Sequence, residues 1–113
     1  MTLSVSAYVI APDGSIADIP LPSDLAGFES ARRNFYGAAS KKYGLNLLSQ
    51  LQDIAFLEVR GELLNQLLSE IEVLLNNTAL DESGDYWRFR LNNIKIAAEL
   101  ALKHGEAGAI SIG

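Results

Sequence analysis

Two periods run through the chain. From residue 3 to residue 11, Leu3, Val5, Ala7, Val9 and Ala11 alternate with Ser4, Ser6, Tyr8 and Ile10. A period of two puts successive side chains on opposite faces of a strand. Pro12-Asp13-Gly14 interrupts the pattern with a proline that presets φ, an aspartate that bonds its own backbone and a glycine that accepts positive φ. Residues 15–19 then alternate again, so the spacing predicts a hairpin. Pro20 and Pro22 end its second strand, because neither can donate to a ladder. Residues 54–60, bounded by Asp53 and Gly61, and residues 108–112 are short apolar runs that predict two more strands.

The second period is helical. Leu64, Leu67, Leu68, Ile71, Leu74 and Leu75 make one stripe, with Glu62, Asn65, Gln66, Ser69, Glu70, Glu72 and Asn76 on the other side. This predicts a helix over residues 62–77. A second helix is predicted over 86–104, with an inner seam of Trp87, Leu91, Ile94, Ala98 and Ala101 that Phe89, Ile96 and Leu100 widen. Arg88, Asn92, Lys95, Glu99 and Lys103 trace its wet stripe, with Lys95–Glu99 and Glu99–Lys103 as i,i+4 pairs. Lys103 and His104 suit the negative end of the helix dipole, and Gly105 the stop. Asn93 is a weak helix former beside the seam, which predicts a buried bond to nearby backbone.

Residues 23–52 carry a mixed pattern. Ser23 or Asp24 predicts the cap of a helix with Leu25, Phe28, Ala31 and Phe35 on its apolar face. Gly27 and Gly37 count against that helix, and an irregular or extended stretch through 32–36 is the alternative. Residues 38–43 predict a short helix stopped at Gly44, and Leu45, Leu48 and Leu51 one further turn. The expected fold is α+β in a single domain, residues 1–113. A small, mostly antiparallel sheet from residues 3–19, 54–60 and 108–112 packs on the antiparallel helices 62–77 and 86–104.

Composition narrows the function classes. Apolar residues make up 49% of the 113, which is too many for a disordered chain. The net charge of −5 argues against a nucleic-acid partner, which needs an electropositive face. With no cysteine, thiolate metal sites and cysteine nucleophiles are excluded. The first ten residues lack a basic leader, and no apolar run approaches the roughly 20 residues that cross a bilayer. The expectation is a cytoplasmic protein without a membrane role.

Motifs for chemistry are sparse. His104, the one histidine, reads as a helix cap rather than a base, and no serine stands in a G-x-S-x-G context. Asp81-Glu82-Ser83-Gly84-Asp85 has the alternate oxygens of a calcium loop, but Tyr86 stands where a glycine must turn and Asn92 where a bidentate glutamate belongs. No metal and no cofactor is expected. Glu29, Arg32 and Tyr36 are the residues from which a small hydrolase-like polar cleft would be built. Tyr36, Tyr86 and Trp87 fit either core packing or partner-facing anchors.

Charge is unevenly spread. Over residues 25–52, Arg32, Arg33, Lys41 and Lys42 stand against Glu29, a balance of +3. Over 53–85, eight acids stand against Arg60, a balance of −7. Solvated faces account for such runs in the simplest case. The sharper reading is a docking surface of Glu62, Glu70, Glu72, Asp81, Glu82 and Asp85 for a protein partner with a basic surface. Its concrete form is an immunity-type inhibitor masking the phosphate-binding groove of a nuclease-like toxin. The hydrolase-like enzyme and a structural homodimer joined through a sheet edge or helix face are the competing readings.

Leu25-Ala26-Gly27-Phe28-Glu29-Ser30, Arg32, Tyr36-Gly37, Gly44-Leu45, Leu57-Glu58-Val59, Glu70, residues 89–94 and the 108–112 run together resemble a family of small uncharacterised bacterial proteins. That family has a Gly-Phe-Glu-Ser middle motif and a glycine-rich apolar strand near its end. Ala38 departs from it, where the family has a serine. The resemblance implies a shared fold and supplies no activity.

Overall fold

The structure, a computed structural model, describes residues 2–77 and 82–113. Strand β1 (Thr2–Ile10) turns through 11–15 into β2 (Ile16–Ile19), the predicted hairpin, with Ala7 opposite Ile19 and Val9 opposite Ala17. At the turn, Asp13 accepts from the amide and hydroxyl of Ser15. Those bonds, the hydroxyl's foremost, lower its pKa. β3 (Leu25–Phe28) follows β2 along the same side of β1, whose Val5 amide donates to Asp24 between them. On the other side of β1 lies β5 (Gly108–Ile112), and β4 (Leu57–Arg60) forms the far edge. All pairings are antiparallel.

Helices α2 (Leu63–Asn76) and α3 (Glu82–Leu102) pack against each other, α3 over β1, β3 and β5 and α2 beside β4. The alternation in β1 explains the sheet's two faces. Leu3, Val5 and Ala7 are buried under the helices, while Thr2, Ser4 and Ser6 lie exposed on the other face. Leu64, Leu67, Ile71 and Leu74 of α2 meet Leu91, Ile94, Ala98 and Ala101 of α3 in the interior. Full burial of each leucine or isoleucine contributes about 1.5–3 kcal/mol, so the stripe accounts for the helix. At Gly108 the helix comes so close that a Cβ would stand 1.8 Å from the carbonyl oxygen of Ala101. Only glycine fits there. The fold is α+β, as the pattern predicts.

The departures are local. Leu25–Phe28 is a strand and not a helix, because Gly27 takes φ +135°, a backbone region closed to helix and to most side chains. A π-helical turn (Arg32–Gly37) occupies the stretch whose form was ambiguous, leading into α1 (Ala38–Lys42). A 3-10 turn (Leu48–Gln52) supplies the further turn expected there. Phe89 and Ile96 do not widen the seam of α3 but stand exposed. Lys95 bonds Glu72 across the helix pair at 2.7 Å, not Glu99 alone in the helix. That bond, more than any other effect, raises the lysine's pKa. Asn93 is buried as expected, donating to the Leu25 carbonyl at 2.9 Å and to the Ser23 hydroxyl at 3.2 Å.

Candidate functional site

The first turns of α3 and the end of β3 carry an aromatic cluster. Tyr86 and Arg90 stand one helical turn apart, which brings the guanidinium 3.5 Å above the tyrosine ring. Phe28 stacks on Tyr86 with 5.6 Å between centroids. Trp87 faces inward from there, lying parallel to Phe35 at 3.6 Å and edge-on to Tyr36 at 5.8 Å. Gly27 lets the indole approach, since a Cβ at that position would lie 3.3 Å from the Trp87 ring. Phe28 is 56% exposed and Phe89 47%. The cluster therefore has a buried root and an open aromatic surface with one arginine set into it.

Glu29 and Arg32 come together, and Tyr36 parts from them. Glu29, Arg32, Arg33, Asn34 and Gln52 line a shallow depression of roughly 360 Å³. Within it the Arg32 guanidinium bonds Glu29 and reaches the carbonyls of Leu51, Ile54 and Ala55. Its donors are committed to Glu29 and to the protein's own backbone. The Tyr36 ring is wholly buried, and its hydroxyl donates to the Ala26 carbonyl at 2.5 Å. The three side chains therefore do not converge on one cleft, because the tyrosine packs into the core.

The acidic residues are also divided. Glu62 and Glu72 are exposed, and Asp85 is exposed with Arg88 at 2.5 Å. Glu70 is a correction to the docking surface. It is only 5% exposed and its carboxylate accepts the amides of Asn46, Leu47 and Leu48. Glu82 begins α3, so residues 82–85 are helical, and Asp81 lies outside the described residues. Among the described residues no three His, Asp or Glu side chains gather as a metal site, and no helix is long and apolar enough to cross a membrane.

Two tyrosines give the fold an alkaline limit. Burial, foremost, holds the Tyr36 proton far above the ordinary tyrosine range. Burial and then the bond donated to Glu58 do the same for Tyr8. An unfolded chain loses these protons near pH 10 while the folded chain keeps them, so rising pH favours the unfolded state from about that point upward. The contribution is complete below this range and lost above it. Urea midpoints measured across the alkaline range will fall, and Tyr36→Phe will flatten the fall; a profile with no decline would contradict the assignment.

Set against family models, curated proteins and solved structures, the chain matches none of them.

Proposed function

We propose that the protein is a cytoplasmic, non-enzymatic protein-binding module, in concrete form an immunity-type inhibitor of a bacterial toxin with a basic surface. The observation that carries this reading is the open aromatic surface of Phe28, Tyr86 and Phe89 with Arg90 set into it. Aromatic residues and arginine supply most of the binding energy at protein interfaces. The net charge of −5 adds the long-range attraction that a basic partner would feel. Glu62, Glu72 and Asp85 are exposed acids that contribute to that field. Spending Arg32, Tyr36 and Glu70 on backbone carbonyls and amides supports the same reading, since these side chains are engaged in holding the fold.

The test is titration of the purified protein with the product of its neighbouring gene, followed by calorimetry at low and high salt. Saturable binding that weakens with salt is expected. Phe28→Ala and Arg90→Ala should each weaken it by about tenfold, the scale of a single interface anchor. Absence of saturable binding would overturn the toxin-directed form, and binding indifferent to both substitutions would overturn the surface.

A further inference from the structure

Backbone geometry leaves the β4 edge of the sheet open. In an antiparallel ladder a residue directs both its N–H and its C=O to the same side, and successive residues alternate. The Gly61 amide donates to the Gly108 carbonyl, so Gly61, Val59 and Leu57 turn their backbone groups toward β5. Glu58 and Arg60 therefore turn theirs outward, where among the described residues no partner meets them. The β3 edge differs, because Asn93 holds the Leu25 carbonyl and Tyr36 the Ala26 carbonyl. The outer edge of β2 offers Ile16 and Asp18, with no opposite charge to match.

We infer that β4 is a dimerisation edge, through which two copies of this chain pair antiparallel about a twofold axis at Val59 and continue the sheet across both. Charge selects this register. A twofold pairing through outward-turned residues can set Glu58 against Glu58, Arg60 against Arg60, or each against the other. The first two place like charges opposite and are disfavoured, while the third forms two Glu58–Arg60 cross-strand pairs, one on each side of the axis. Both charged side chains are exposed on the polar face, with Glu58 already accepting from the Tyr8 hydroxyl and Arg60 Nε directed to the Glu106 carbonyl. Phe56, which immediately precedes β4, is 70% exposed. This surface lies at the far edge of the sheet from β3 and shares no residue with the aromatic cluster.

Sedimentation velocity across the micromolar range tests it. The expected species has twice the 12.2 kDa chain mass. Glu58→Arg and Arg60→Glu will each set like charges opposite twice and shift the population to monomer. The double exchange Glu58→Arg/Arg60→Glu restores opposite charges and will restore the dimer, which separates lost pairing from lost folding. Amide exchange at Glu58 and Arg60 will slow as concentration rises. A monomer at every concentration, a dimer indifferent to the single reversals, or a double exchange that stays monomeric would each overturn the inference.

Discussion

Glu70→Ala will lower the stability of the fold by about 3 kcal/mol, with the amides of Asn46, Leu47 and Leu48 left without an acceptor. The carboxylate sits on the buried side of α2 and receives Leu47 at 3.0 and 3.1 Å, Leu48 at 3.0 Å and Asn46 at 3.2 Å, with Gln66 donating at 3.2 Å. These amides open the 3-10 turn Leu48–Gln52, whose first donors have no partner inside the turn. A buried donor stripped of its acceptor costs about 1–3 kcal/mol, and Leu47 and Leu48 are both buried. Water can reach the exposed Asn46 amide, so the total stays below three full penalties. Glu70→Gln keeps one acceptor oxygen and will lose about half as much. For a domain stable by roughly 5–15 kcal/mol, the alanine change is a large fraction. Urea unfolding with an unchanged slope checks it. Amide exchange should also quicken at Leu47 and Leu48 before the sheet opens, and a loss below about 0.5 kcal/mol would show the carboxylate to be dispensable.

Glu70 also marks where the pattern of the chain is legible and where it stops. β1, α2 and α3 follow from long periodic runs, in which many apolar residues point to one face and only one element satisfies them. By pattern alone Glu70 is one acid among several on a polar side. Yet it lies three residues after Leu67 and four before Leu74, both fully or almost fully buried, and helical spacing puts such a residue on the seam. A charge in that position must have partners. They lie 22 to 24 residues earlier, beyond any local signal. β3 is hidden from the pattern for a related reason. Leu-Ala-Gly-Phe is too short for a period to decide, and what holds it extended comes from Asn93 and Tyr36. The aromatic cluster was half visible. Tyr86 and Arg90 stand at i,i+4, a spacing that pairs them, whereas the apolar spacing puts Phe28 and Phe89 on buried helix faces and both stand in the open.

Arg32→Ala will cost about 2–3 kcal/mol, and the comparison with Glu29→Ala will show which of the arginine's bonds matters. One guanidinium nitrogen donates to the Ile54 carbonyl at 2.8 Å and the Leu51 carbonyl at 3.2 Å, and the other to Ala55 at 2.8 Å. Together they tie the Arg32–Gly37 turn to the segment that leads into β4. A hydrogen bond to a charged group is worth about 1.5–3 kcal/mol net, and the arginine side chain, only 18% exposed, is shielded enough to keep much of it. Glu29 is 46% exposed, and an ion pair so open to water contributes at most about 1 kcal/mol. Glu29→Ala should therefore cost well under half as much as Arg32→Ala. Arg32→Lys retains the charge and loses the planar fork, so it will recover only part of the deficit. If lysine restored full stability, or if Glu29→Ala matched Arg32→Ala, the ion pair and not the three carbonyls would be what fastens this segment to the sheet.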